Sequence, residues 1–422
     1  MTTNISTSDA QRRRVIHDVI LELASIEADS EAYEIKLAEL ESHLAHEADR
    51  APRANKPPLP LGQAALAAPG AGAALWRARW MKQKARIAQA GGALLLALRQ
   101  TASRSKKDSA PTVPLSHSDR AAASKIGSFV ESTLVDGQSG EHHTRKYMLY
   151  EPASRGHAPA PLLVLLHGCK QGATEFAAGT RMNEAAEAAG VVVLYPQQSL
   201  AANLLRCWNW YALHDRSNKD GDAAVIAAMT RQVMRDHDID ATRVYVAGMS
   251  AGGGMAAVLV RDYPELYAAL GVHSGVPAGL AHDVYSAMRL MSTGRVPSEG
   301  EAAPGAVNGV GASAASIVFH GDEDTVVHLS NGVAIHEAAG PSQVSPVLEP
   351  QQSTTQPRPG HRGFTRSVEY GAGGVTEREL WIVHGAGHAW AGGSSTQPDT
   401  DSSGPDASRE MLRFFLQHQL SA

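Results

Sequence analysis

The chain is predicted to fold as an α/β domain on a mostly parallel sheet covered by helices on both faces. Three observations predict it. Short β-branched apolar runs alternate with longer stretches of helical spacing. The runs are continuously apolar rather than alternating, as strands buried on both faces require. Run after run closes on His-Gly, Gly-x-Ser or His-Ser-Gly, which gathers polar residues at the carboxyl ends of the strands, where ligands of such sheets sit.

In chain order the first element is an acidic helical segment. Between Gln11 and Glu47 apolar residues fall at helical spacing, Val15, Val19, Leu23 and Ile26, then Tyr33, Leu37, Leu40 and Leu44, with a break near Asp29 and Ser30. Two helices, as a hairpin or short coiled coil, are expected. "RAPRANKPPLPLG" breaks any helix, and the segment to Val113 is rich in Ala, Gly and Pro, with an amphipathic helix expected over 76–98. Residues 1–50 carry 11 acids and 5 bases, whereas 51–107 carry 11 bases and no acid, within a chain whose net charge is only -5. The expected organisation is therefore an acidic helical segment over 1–50, a basic linker over 51–113 and the α/β domain over 114–422. The basic stretch over 71–107, with Trp76, Trp80 and the leucines of 94–98, is a candidate for peripheral contact with a lipid or granule surface; its blander reading is a flexible linker.

Within the α/β domain the candidate strands are "RKYMLYEP", "LLVLLHG", "VVVLYP", "RVYVAG", "AALGVHSG", "SIVFHG" and "ELWIVHG". The candidate helices are "GTRMNEAAEAAG", "DAAVIAAMTRQVMRDH", "GGGMAAVLVRDYP" and "DASREMLRFFLQHQ". Flexible insertions are expected at "VPSEGEAAPGAVNGVGASAA" and "SPVLEPQQSTTQPRPGHRG", which lack apolar spacing. At 422 residues with 43% hydrophobic content the chain can bury one large core beside an appended module. No apolar run approaches the roughly 20 residues of a membrane helix. "QRRRVIHDVILELASIE" interrupts its apolar positions with Asp18, Glu22 and Glu27, so it does not read as an export signal. "MKQKARIAQAGGALLLAL", from Met81, has a basic start and an apolar middle that a later start codon would turn into one.

The chemistry concentrates at Gly248-Met249-Ser250-Ala251-Gly252, which matches G-x-S-x-G between a strand and a helix, the setting of a nucleophile elbow. Glycines are needed there because the tight turn crowds its neighbours while presenting the Ser250 hydroxyl. A hydroxyl attacks only if a base takes its proton, and the base needs an acid to fix its tautomer. His388 in "VHGAGHAWAGG" fits the base; His384 ends the strand and is expected to bond locally. The two rings make a poor metal pair, because Gly385 and Gly387 spoil the helix that would align them. Asp322, Glu323 and Asp324 in "SIVFHGDEDTVV" all stand in the right place for the acid, and spacing does not choose among them. Asp399, Asp401 and Asp406 follow the base and read as a polar loop. An oxyanion needs two backbone donors, expected from Ala251 and from Cys169 in "LLHGCKQG", with His167 structural. Cys169 and Cys207 are the only cysteines, and sequence leaves a bridge and two free thiols both open. Trp208, Trp210 and Trp390 are candidates for an acyl pocket or, equally, for the core.

Taken in order, "LLHGCKQG", "CWNW", "YVAGMSAGGGMA", "VFHGDEDTVVH" and "GAGHAWAGG" resemble the polyhydroxybutyrate-depolymerase type of esterase, a branch of the α/β-hydrolases that includes feruloyl and acetylxylan esterases. The resemblance covers residues 125–420. It implies an α/β-hydrolase fold, serine-dependent ester hydrolysis with Ser250 and His388 as nucleophile and base, Asp324 as the acid through the family's H-G-x-x-D pattern, and a Cys169–Cys207 bridge, which favours an oxidising, extracellular setting. Ala391 departs from the family, which usually has serine after the H-A-W run. Residues 1–113 lie outside the match, and no polymer-binding module is read after the esterase motifs.

The resulting expectation is a carboxylic ester hydrolase acting on a small ester or polyester, with no cofactor, no metal and no nucleic-acid partner. Polymer depolymerisation and feruloyl or acetylxylan esterase activity are the alternatives within enzymes. The alternative from another class is a surface-binding adaptor carrying a vestigial hydrolase domain. A cytoplasmic location is the alternative to an extracellular one, and the sequence gives no oligomeric state.

Overall fold

A computed structural model describes residues 127–134, 145–212, 221–294, 314–338, 349–371 and 374–420. The expected segments over 1–50 and 51–113, with the basic stretch at 71–107, lie outside these residues. The insertion expected at 296–315 lies almost wholly outside them too.

The sheet grows from its apolar centre. β3 (Ala160–Leu166), β4 (Val192–Pro196) and β6 (Ala269–His273) are buried at every position, and β5 (Ile239–Met249) and β7 (Ala315–Gly321) are buried through their carboxyl halves. β1 (Ser128–Leu134) and β2 (Arg145–Glu151) pair antiparallel on one flank, and β10 (Thr376–Val383) with β9 (Phe364–Tyr370) and β8 (Gln351–Thr355) completes the other. The strand order is β1-β2-β4-β3-β5-β6-β7-β10-β9-β8. The pairs from β4 through β10 are parallel, and the outer pairs on both flanks are antiparallel. A separate two-residue ladder joins β11 (Trp390–Ala391) to β12 (Thr400–Asp401).

Helices cover both faces, as continuously apolar strands demand. α1 (Ala173–Thr180), α2 (Met182–Ala189) and α7 (Ala407–Phe415) build one core with Phe176, Met182, Met411 and Phe414. α3 (Asp222–Asp236), α4 (Ala251–Asp262), α5 (Val284–Thr293) and α6 (Ser330–Ala338) build the other with Ile226, Met255, Leu290 and Ile335. Glu379 is fully buried on β10, where Arg366 of β9, Arg413 of α7 and the Trp381 indole all donate to it. Burial would raise its carboxyl pKa, but the two guanidinium groups outweigh burial and hold it low.

This is the α/β-hydrolase arrangement expected from the sequence, and all seven expected strands are present. Two expectations need correction. "GTRMNEAAEAAG" is not one helix: α1 starts earlier and ends at Thr180, and Arg181, at φ 56°, turns the chain into α2. The segment expected to be a flexible insertion over 345–363 contains β8, whose residues Gln-Gln-Ser-Thr-Thr are mostly exposed. An edge strand is held by backbone pairing on one side and keeps a polar surface toward water, so apolar spacing never marks it. Among the described residues no helix is long and apolar enough to cross a membrane.

Candidate active site

Strand order reverses at β3, which lies between β4 and β5, so the loops leaving β3 and β5 diverge and open a crevice at the carboxyl edge. The loop after β3 begins His167-Gly168-Cys169, and β5 ends one residue before Ser250. A Cβ built on Gly168 would stand 3.6 Å from the Ser250 Cβ, so the two segments touch.

Ser250 has φ 56° and ψ -120°, a conformation that side chains rarely adopt, between β5 and α4. Two glycines make it possible. A Cβ at Gly248 would lie 2.4 Å from the backbone of Gly252, and one at Gly252 would lie 2.2 Å from the Leu166 carbonyl oxygen. The Ser250 amide donates to the His273 carbonyl at 3.0 Å and its own carbonyl accepts from Gly254 at 3.0 Å, leaving the side chain as the unanchored part. α4 has no side-chain cap, so its first amides, Ala251 included, are open to a ligand.

On the β3 loop, Gly168 N–H donates to Gln171 Oε1 at 2.9 Å, Lys170 to the Leu205 carbonyl at 2.7 Å and Gln171 to the Gly168 carbonyl at 3.4 Å. The Cys169 amide between them has no partner among the described residues. The Cys169 side chain is bridged to Cys207, with S–S 2.06 Å and Cα atoms 4.2 Å apart. The bridge closes a sequence separation of 38 residues, which in chain-entropy terms stabilises the fold by about 4 kcal/mol. Replacing both cysteines by serine is expected to lower the urea midpoint by an amount equivalent to about 2–4 kcal/mol; an unchanged midpoint would show that the bridge is energetically idle.

On the far side of the edge, β7 leads into Asp322 and Asp324 and β10 into His384 and His388. Asp324 Oδ1 accepts the amides of Val326 and Val327, each at 2.9 Å, and Oδ2 accepts His388 Nδ1 at 2.8 Å. Burial pushes the Asp324 carboxyl upward, but the His388 hydrogen bond and charge, with the Val327 amide, hold it below the usual range. Asp322 faces another way: Oδ2 meets His384 Nδ1 at 3.0 Å and Oδ1 accepts the Gly385 amide at 2.6 Å. His384 Nε2 meets Thr365 Oγ1 of β9 at 3.0 Å, and Arg362 donates to the Gly385 carbonyl and pairs with Asp401. The β8–β9 hairpin thus braces the loop that carries His388. Beyond it, the Ala391 amide donates to His273 Nε2 at 2.9 Å, anchoring the segment over β6, the neighbour of β5. Ser250 Oγ and His388 Nε2 are both without hydrogen-bond partners among the described residues, and such a bond often tightens only when substrate arrives.

The three candidate tryptophans sit in the core. Trp390, a candidate for pocket and core alike, is fully buried, stacks on His273 at 5.1 Å and donates to Ser408 Oγ at 3.1 Å, so it offers a ligand no surface. Trp208 and Trp210 are also buried; the Trp208 indole donates to the His167 carbonyl at 3.0 Å, and Trp210 packs under Gly254. His167 accepts the Gln198 amide at 3.1 Å and meets the Gly168 carbonyl at 2.7 Å, a structural arrangement. The residue that sequence reading missed is Asp222, a buried carboxylate at the start of α3 on which Gln198 and Asn209 converge. Its only sequence signal is an acid in the first turn of a helix.

Burial disfavours the charged form of the buried imidazoles at this edge, His167, His273 and His320, and most in the first two. Burial lowers the pKa of His167 to about 4 and that of His273 to about 3. The unfolded chain takes up these protons near its ordinary value of about 6.5, so the stability they contribute is complete above that pH and is lost as pH falls toward 4 and then 3. Asp324, lowered as well, acts in the same direction below the usual carboxylate range. The thermal midpoint is expected to fall steadily from pH 7 to pH 4.5, and a flat profile by calorimetry would contradict the neutral burial of both rings.

The family model described as esterase PHB depolymerase matches residues 145–338. Poly(3-hydroxyalkanoate) depolymerase C of Paucimonas lemoignei is 31% identical over 248 residues, 58% of this chain and 57% of that protein. Feruloyl esterase B of Neurospora crassa is 34% identical over 131 residues, 30% of this chain and 42% of that protein. The acetyl xylan esterase structure from Aspergillus awamori superposes with TM-score 0.46 at 19% identity, covering 68% of this chain and 99% of that one. The chain spans about half the length of the curated relatives it matches.

Proposed function

We propose, from the premise that this chain belongs to the PHB-depolymerase-type esterases of the α/β-hydrolase superfamily, that it hydrolyses carboxylic esters of short acyl or hydroxyacyl groups through an acyl-enzyme. The observation that carries the reading is the 2.8 Å bond from His388 Nδ1 to Asp324, at the sheet edge where Ser250 stands on its strained turn. Ser250 Oγ attacks the ester carbonyl carbon as His388 Nε2 takes its proton. Asp324 holds the Nδ1 proton and so fixes the tautomer that leaves Nε2 basic. The amides of Ala251 and Cys169 receive the oxyanion. Collapse breaks the ester C–O bond, His388 returns the proton to the leaving alcohol, and water repeats the cycle to release the acid.

The α/β domain over 114–422 carries this chemistry in our reading, and the bridge favours an oxidising, extracellular setting. The 31% identity to a polyhydroxyalkanoate depolymerase and the 34% identity to a feruloyl esterase favour two acyl classes, a polyester and a plant-wall ester. Fluorophosphonate labelling with peptide mapping, run beside p-nitrophenyl esters, a polyester film and feruloyl and acetyl sugars, tests the reading. Label on Ser250 with turnover of at least one ester class is the expected result; label elsewhere, or none, sinks it.

A further inference from the structure

Besides Glu379, a second buried carboxylate lies outside the chemistry just described. Asp222 opens α3, where a first-turn acid ordinarily faces its own helix amides, yet that helix has no side-chain cap. All of its hydrogen bonds among the described residues run the other way. Its Oδ2 accepts Gln198 Nε2 at 2.7 Å, the Asn209 amide at 3.0 Å and Asn209 Nδ2 at 2.9 Å.

From that oxygen the bonds run outward to the oxyanion loop. Gln198 Nε2 also reaches the Cys207 carbonyl at 3.2 Å. Asn209 Oδ1 accepts Asn203 Nδ2 at 2.9 Å, and Asn203 Oδ1 in turn accepts the amides of Leu205 at 3.0 Å and Cys207 at 3.1 Å. Leu205 and Cys207 both grip the β3 loop next to the Cys169 amide, one by accepting Lys170 N–H at 2.7 Å and the other through the disulfide to Cys169. Cys169 is thus held from its own side chain and from the next residue by a wall whose hydrogen bonds converge on one carboxylate oxygen. A donor at a transition state acts only if fixed in advance, and a shift of about 1 Å can cost about 100-fold in rate.

We propose that Asp222 is the positioning residue of the oxyanion site, setting the direction of the Cys169 amide through the 203–209 wall. The inference rests on the esterase reading above. No bond among the described residues joins Asp222 to Ser250, Asp324 or His388, so its removal should weaken oxyanion binding and leave the base alone. All three donors meet Oδ2 alone, a place the amide oxygen of an asparagine can take, whereas Asp222→Ala leaves all three without an acceptor.

The experiment uses the full chain. Turnover of p-nitrophenyl butyrate is measured with the affinity of butylboronic acid, which bonds to Ser250 Oγ as the serine proton passes to His388 and leaves a tetrahedral anion with an oxygen in the oxyanion site. In Asp222→Ala, kcat is expected to fall ~10- to 100-fold with KM within about twofold, boronate affinity to fall by the same factor, and the acidic limb of the kcat/KM profile to stay in place. Asn203→Ala, which removes the acceptor for Leu205 and Cys207 together with the donor to Asn209, should give the same pattern more weakly, and it carries the test if Asp222→Ala does not fold. Retained kcat in both variants, a loss appearing in KM, a moved acidic limb, or undiminished boronate affinity beside a lowered kcat overturns the proposal. A wild-type protein inert toward both ester and boronate overturns the esterase reading, and this inference with it.

Discussion

Ser250→Ala is expected to reduce release of p-nitrophenol from its acetate or butyrate ester by ~10⁵- to 10⁶-fold, to the level left by binding and the oxyanion donors alone. The physical ground is that no second hydroxyl shares the elbow. The glycines at 248 and 252 make room for the turn, its other side chains are those of Met249 and Ala251, and the Ser250 backbone is fixed by the His273 carbonyl and the Gly254 amide. Alanine occupies the same strained φ of 56° with one atom fewer, so folding should be little altered while the attacking group is gone. Unchanged turnover in the folded variant would remove the mechanism.

Asp324→Asn should follow closely, with a loss of ~10⁴-fold. Asp324 Oδ1 is already committed to two amides, so an asparagine in the same pose turns its NH2 toward His388 Nδ1. The imidazole must then carry its proton on Nε2, where it can no longer act as base. Asp322→Asn meets a different fate. Its partners are the half-exposed His384 and the Gly385 amide, two steps removed from His388, and a loss within about 10-fold is expected. The pair of variants decides between two carboxylates that differ by two positions; the reverse order of damage would move the acid.

Much of this was legible in the chain because burial leaves a mark. Strands such as "LLVLLHG" and "VVVLYP" are apolar at successive positions, and the glycines around Ser250 record a crowded turn. β1, β8 and β9 were missed for the opposite reason. Their residues alternate or are polar throughout, and they are held by backbone pairing at or near the sheet edges, which composition does not report. The choice between Asp322 and Asp324 depends on which way each carboxylate turns after β7, a matter of where His384 and His388 lie on a loop from another strand. For Trp208, Trp210 and Trp390 the sequence leaves pocket and core equally open, and only the packed fold decides: all three rings lie in the core, Trp390 stacked on a buried imidazole. Asp222 could not have been singled out, since its partners come from residues 198 and 209 and meet it only across the fold.

The bracing of the histidine loop by the outer hairpin sets an order of failure. Ser250 rises from the middle of the sheet, whereas the loop that carries His388 is tied to Asp324 and His273 on its inner side and, through Gly385 and His384, to Arg362 and Thr365 on an outer side that opens more readily. Warming is therefore expected to loosen the outer side of this loop before the core melts, so that under the proposed mechanism ester turnover would be lost while the fold persists.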